Sequence, residues 1–90
     1  MELIIFYFDW GGTRAELKDF LGDWKKAADK TDGVEYKAHW VPHTSKWHHA
    51  VIWEAESYAK VRESWSTINR ERDYAKVTHG AIDLFVKPGS

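Results

Sequence analysis

Residues 3 to 8 read Leu-Ile-Ile-Phe-Tyr-Phe, a run with no charged position to offer to water. Isoleucine and aromatic side chains in a short block of this kind form a strand, and the absence of alternation means that both of its faces are to be buried. In a chain of 90 residues this is a severe demand. The remaining sequence supplies two amphipathic helices, and two helices cover one side of a small sheet. The other side of this strand needs a second cover.

The helices are legible from their caps and periodicity. Thr13-Arg-Ala-Glu16 has the form of a capping box, in which the threonine and glutamate side chains satisfy amide donors left open at a helix start. Behind it Leu17, Phe20, Leu21, Trp24, Ala27 and Ala28 recur at three- and four-residue spacing and mark one buried face. Gly33 supplies the stop. Ser57 reads as the cap of a second helix, with Tyr58, Val61, Trp65 and Ile68 as its apolar stripe. Between the helices, two strands flank the turn His-Thr-Ser-Lys, the first ended by Pro42, which has no amide to donate to a ladder. Paired glycines at 11 and 12 make a loop before the first helix, and a last apolar run precedes a short Lys-Pro-Gly-Ser tail.

The expected elements are therefore strands at about 2–9, 34–41, 47–54 and 79–87 and helices at about 14–30 and 57–70, in one domain spanning residues 1–90. The order βαββαβ specifies an α+β, ferredoxin-like fold: an antiparallel sheet in strand order 4-1-3-2 with both helices on one face. The two-faced first strand then implies a homodimer, two sheets packing face to face into a barrel. Six tryptophans point the same way, since each can bury roughly 150–250 Å² and a small monomer has little room for all of them.

Composition narrows the function classes. There is no cysteine, which removes disulfides, thiolate metal sites and thiol nucleophiles. Thirteen basic and fourteen acidic residues give a formal net charge of −1, unsuited to an electrostatic grip on nucleic acid or an anionic membrane. The longest apolar run is far short of the roughly 20 residues that span a bilayer. No basic region followed by an extended apolar segment opens the chain, so a cytoplasmic protein is expected. The same topology serves RNA-binding domains, yet Lys46 to Trp53 lacks the glycine such a strand carries and has Ala50 where a base-stacking ring would stand.

The stretch Ala-Val-Ile-Trp-Glu-Ala-Glu-Ser-Tyr-Ala-Lys-Val-Arg-Glu-Ser-Trp, residues 50–65, is a strand running straight into a helix. It resembles the small members of the dimeric α+β-barrel superfamily, and is most similar to short, uncharacterised prokaryotic members, a domain of unknown function with GYD- and YCII-like relatives. The element order extends the resemblance over the whole chain. It implies a homodimer with a ligand cavity between helices and sheet or within the barrel. It leaves the activity open among cofactor-free monooxygenases, haem-degrading enzymes, isomerases, dehalogenation-linked proteins and ligand-sensing domains. Haem-degrading members use an asparagine on the first strand, where this chain offers Asp9; its one asparagine, Asn69, lies near the end of the second helix.

The densest candidate chemistry is His39-Trp-Val-Pro-His-Thr-Ser-Lys-Trp-His-His49. With the turn centred on Thr44, Val41 pairs with Trp47, Trp40 with His48, His39 with His49 and Ala38 with Ala50. Strand alternation then divides the cluster. Val34, Tyr36, Ala38, Trp40, His48, Ala50 and Ile52 share the face expected to meet the helices, where the small alanines leave room for them. Glu35, Lys37, His39, Val41, Trp47, His49, Val51 and Trp53 share the other, barrel-side face, and His43 stays in the turn.

The candidate ligand-binding residues are accordingly His39, Trp47, His49, Trp53 and Tyr7, apolar walls with a few polar handles. His49 and Asp83 are candidate catalytic groups, Asp83 because a carboxylate on an apolar strand is costly to bury unpaired. Ile82, Leu84 and Val86 are expected to face the helices and Asp83 the barrel. No metal is expected; His39 opposite His49 comes nearest to a site and lacks a third ligand. No cofactor is expected either. The leading expectation is a dimer that binds a small aromatic or apolar molecule. The alternatives are a non-catalytic oligomerisation or sensing domain and a cofactor-free monooxygenase-like enzyme.

Overall fold

A computed structural model describes residues 1–43, 46–68 and 76–86. Its elements are β1 (Glu2–Trp10), α1 (Arg14–Asp29), β2 (Val34–Trp40), β3 (His49–Ala55), α2 (Tyr58–Trp65) and β4 (Val77–Val86). The strands form one antiparallel sheet in the order β2-β3-β1-β4, with the two-faced β1 in its interior. This is the expected ferredoxin-like order. The expected turn at Thr44, the stretch 69–75 and the tail from residue 87 lie outside the described residues.

Both helix starts are capped by the residues that the sequence marks. The Thr13 hydroxyl accepts from the Glu16 amide at 3.1 Å, and the Glu16 carboxylate accepts from the Thr13 amide at 3.0 Å. Those bonds favour the ionised carboxylate and hold its pKa below the ordinary value. The Ser57 hydroxyl accepts from Lys60 N–H at 3.3 Å, and Glu2, from the far end of β1, accepts from the Tyr58 amide at 2.8 Å. α2 ends at Trp65, short of the expected residue 70. Gly33, at φ 81°, turns the chain from α1 into β2; a Cβ there would lie 2.7 Å from the Glu56 side chain.

The layer between helices and sheet is built from rings. Ile4, Phe8, Val51, Trp53 and Ala55 from the sheet meet Leu17, Phe20, Trp24, Ala27 and Ala28 of α1 and Val61 and Trp65 of α2. Trp24 meets Trp53 edge-on at 5.1 Å, Trp53 meets Trp65 at 5.2 Å, and Phe20 meets Trp24 at 4.3 Å. The indole N–H groups of Trp53 and Trp65 are buried with no acceptor among the described residues.

This arrangement corrects the sidedness expected for the hairpin. His49, Val51, Trp53 and Ala55 point toward the helices, while Ala50 and Ile52 lie on the opposite face with Ile5 and Tyr7. The small residues that make room are Ala27 and Ala28 on α1, which lets indoles rather than alanines stand beneath it. The register is corrected too. Trp40 pairs with Ala50, His39 with Val51 and Ala38 with Ile52, two residues away from the expected partners. An irregularity between Tyr36 and Ala38 then inserts one residue into β2. Such an insertion resets the alternation, so Val34 and Tyr36 share a face with His39.

The opposite face of the sheet carries Leu3, Ile5, Tyr7, Ala38, Trp40, Ala50, Ile52, Asp83 and Phe85 by register. Trp40 is 62% exposed and Phe85 51%. On β4, Ile82, Leu84 and Val86 stand on the helix side as expected, opposite Phe6, Ile4 and Glu2. All three are nonetheless exposed, because α1 and α2 sit over the other three strands.

Candidate functional site

Trp10, at the end of β1, fixes where α1 begins. Its indole N–H donates to the Thr13 carbonyl at 2.9 Å, and its ring packs on Phe20 at 5.0 Å. This anchors the first turns of α1 above the outer ends of β2 and β3. Here the ring packing gives out and a cleft of about 310 Å³ opens, lined by Arg14, Leu17, Lys18 and Leu21 of α1 and by His39, Val41 and His49. Its surface is overwhelmingly apolar.

The two histidines form a bonded pair. His39 Nε2 lies 3.0 Å from His49 Nδ1, with the ring planes 28° apart and the centroids at 5.2 Å. Because the nitrogens are so much closer than the centroids, the rings meet edge to edge in nearly one plane rather than face on face. His49 in turn lies over Phe8, with centroids at 5.2 Å and planes 26° apart. Burial lowers the pKa of both imidazoles, since a half-buried ring is costly to charge. His49 is lowered further by its neighbours His39 and His48, against an opposing pull from Asp9. The pair is therefore neutral near pH 7.

Neutrality has a chemical consequence. One ring donates the shared proton and the other accepts it, so each has one nitrogen left. If His39 is the donor, its Nδ1 is an acceptor and His49 Nε2 carries a proton; if His49 is the donor, the roles exchange. In either tautomer the pair presents one open donor and one open acceptor. It can thus bond a polar group of either kind, or relay a proton by exchanging tautomers.

The other histidine of the doublet points away. The His48 amide donates to Asp9 Oδ1 at 3.0 Å, and His48 Nδ1 lies 3.1 Å from the same oxygen, tying the entry of β3 to the end of β1. This matches the expected split of His48 from His49, with the two faces exchanged. His43 is exposed, as expected.

Among the expected ligand residues, the structure brings His39 and His49 together and separates the rest. Trp53 is fully buried in the ring core. Trp47 precedes β3 and has Lys46 Nζ 5.0 Å from its ring. Tyr7 lies across the sheet, where burial and the nearby Asp83 carboxylate raise its pKa. Asp83 is exposed on that same far face, so it does not orient His49. No group of three metal-ligating side chains occurs among the described residues, and Glu35 is engaged by Lys37 at 3.3 Å. Arg14 and Lys18 are not among the expected site residues, while Leu17 and Leu21, expected in the core, pack in or against it and also line the cleft. The signal for all four was their shared helical face at positions 14, 17, 18 and 21.

Comparison with known proteins identifies the architecture. No family model matches the sequence, and no curated protein does. Solved structures match over nearly the full length. A DABB-family protein with a ferredoxin-like fold from Mesorhizobium loti superimposes with a TM-score of 0.73 at 19% identity, covering 98% of this chain and 97% of its own. The chain has the ferredoxin-like fold. A variant of SnoaB, a cofactor-independent oxygenase from Streptomyces nogalater, matches with a TM-score of 0.68 at 13% identity, over 99% of this chain and 94% of its own. A dimeric ferredoxin-like protein of unknown function from Thermobifida fusca matches with a TM-score of 0.64 at 11% identity, over 96% and 90% of the two chains. Among the described residues, no helix is long and apolar enough to cross a membrane.

Proposed function

We propose that the protein is a homodimer that binds a small, mainly apolar molecule in the cleft between α1 and the outer ends of β2 and β3. The observation that carries this reading is the hydrogen-bonded His39–His49 pair in the wall of that cleft. An apolar concavity with a few convergent polar groups is what small-molecule sites share, and about 310 Å³ falls at the lower end of the roughly 300–1,000 Å³ that they occupy. Aromatic ligands suit it, since Phe8, His49 and His39 continue one another as a line of flat rings.

The far face of the sheet supports the homodimer. Trp40 and Phe85 stand exposed on it, with Leu3, Ile5 and Ile52 between them, and a dimeric protein of the same fold is among the structural neighbours. A second copy laid on this face buries the strand that the helices leave half covered. Replacing Trp40 by Glu is expected to give a folded monomer in sedimentation analysis. A wild-type chain that sediments as a monomer contradicts the dimer.

Proton-transfer chemistry is a second reading, favoured by the open donor and acceptor of the neutral pair. SnoaB acts without a cofactor; a chain of this fold with a neutral imidazole pair has a base with which to activate an acidic C–H or O–H group. The test of the binding reading is a titration with 2-naphthamide, a neutral two-ring aromatic, followed through the imidazole ring signals. Saturable movement of the His39 and His49 signals is expected. If both stay still while 2-naphthamide binds elsewhere, the cleft is not the site.

A further inference from the structure

We propose that the ligand of this cleft is a small monoanion, an apolar body bearing one carboxylate, held at its charged end by Arg14 and Lys18. The inference rests on the binding reading above and adds to it the charge of the molecule bound.

Two cationic side chains and, among the described residues, no carboxylate line the cleft; because its surface is almost wholly apolar, their stems form the wall and their charged ends stand exposed at the mouth. Arg14 and Lys18, one helical turn apart, line it together with Leu17, Leu21 and Val41. Neither is paired with an acidic side chain among the described residues. Of the acids nearest in sequence, Glu16 closes the capping box on Thr13, and Asp19, next to Lys18, is not part of the cleft lining. Asp9 lies on the far side of the sheet and is held by His48.

Folding alone does not favour this placement. The first turn of a helix is the positive end of its dipole, where acidic side chains stabilise and basic ones do not. Like charges four residues apart on one helix also repel. An anion seated between Arg14 and Lys18 relieves both effects and gains from the helix end as well. The apolar remainder of the same molecule is accommodated by Leu17, Leu21 and Val41, and the neutral imidazole pair offers it one further donor.

A cationic ligand finds only like charge at the mouth, and a neutral one leaves both cations as they are. A polyanion meets too little positive charge and too much apolar wall. The complement of this lining is one negative charge on a compact apolar body.

The test compares 2-naphthoate with 2-naphthamide, which have the same rings and differ in one charge. Binding of 2-naphthoate is expected to be at least tenfold tighter, with an advantage that shrinks as salt is raised. In the exposed-residue variant Arg14→Gln/Lys18→Gln, the two affinities are expected to agree within about twofold, the naphthoate advantage being lost. Binding of 2-naphthoate near pH 6.5 is also expected to take up protons, because a neighbouring anion favours the charged imidazole. Equal affinities for the two probes in the native protein, with the His39 and His49 signals moving for both, overturn the proposed charge and leave the cleft as the site. A naphthoate preference that survives the double substitution overturns the roles of Arg14 and Lys18. If neither probe moves the imidazole signals, the binding reading fails and this inference falls with it.

Discussion

One layer of side chains joins the helices to the sheet, and its two ends are built differently. Toward the Ala55 end of β3, Trp53 meets Trp24 and Trp65 edge to face while those two lie nearly parallel at 6.3 Å, each of the three at most 8% exposed, beside the small Ala27 and Ala28 of α1. Toward the His49 end, the large rings stop at Phe8, Phe20 and Trp10, and half-buried imidazoles, leucines and two cationic side chains surround open space. β1 and β3 run through both ends, and β2 does so with one inserted residue between Tyr36 and Ala38. The indole end devotes large apolar area to stability; the histidine end gives some of that up to hold polar groups beside a cleft. That division is the usual mark of a site set into a core.

The contrast breaks most visibly in stability. Trp53→Ala removes the ring that touches Tyr36, Trp24 and Trp65, and is expected to cost about 3–5 kcal/mol in denaturant unfolding, a large part of what a domain of this size possesses. Leu21→Ala, at the cleft and only partly buried, is expected to cost about 1–2 kcal/mol, since part of its surface already faces solvent. Comparable losses at the two sites would mean that the cleft end is as tightly packed as the indole end.

The histidine pair sharpens the comparison at a smaller scale. His49→Leu leaves His39 without its partner and is expected to cost about 1 kcal/mol. The double change His39→Leu/His49→Leu removes both polar groups and is expected to restore most of that loss. A double variant as stable as the wild type, yet blind to 2-naphthamide, places the pair in binding rather than in folding.

Acidity offers a related test. Both imidazoles have folded-state pKa values below the ordinary 6.5, so the unfolded chain takes up protons first as the pH falls. The stability they contribute is complete above about pH 6.5 and is lost as the pH drops from there through their folded values. The melting temperature is therefore expected to decline between pH 7 and pH 5, and to decline less in the double leucine variant. The capping box acts in a lower window: the Glu16 pKa is depressed, so its contribution is present above about pH 4.5 and is lost below.

Much of this molecule was legible in its sequence. The two-faced first strand, the Thr13–Glu16 box, the Ser57 cap and the Gly33 stop led to the observed element order and strand order, because each rests on local chemistry. The histidine corner was legible only in part. Alternation rightly separated His49 from His48 and placed His39 with His49. It assigned the pair to the wrong face, because the alanines that seemed to make room on the hairpin are matched by Ala27 and Ala28 on α1. The pairing register was also two residues off, and the extra residue near Lys37 has no signature in a single sequence. Arg14 and Lys18 were passed over for a different reason. A charge near a helix start reads as solvated surface until the strands that face it are known.

The most direct measurement is a titration with 2-naphthoate in which the imidazole signals of His39 and His49 and the indole N–H signals of Trp53 and Trp65 are followed together. Both imidazole sets are expected to shift to saturation along one binding curve, while the two buried indoles stay essentially fixed. Indole signals that move while the imidazoles stay fixed would place the ligand at the opposite end of the layer and contradict a site at the histidine end.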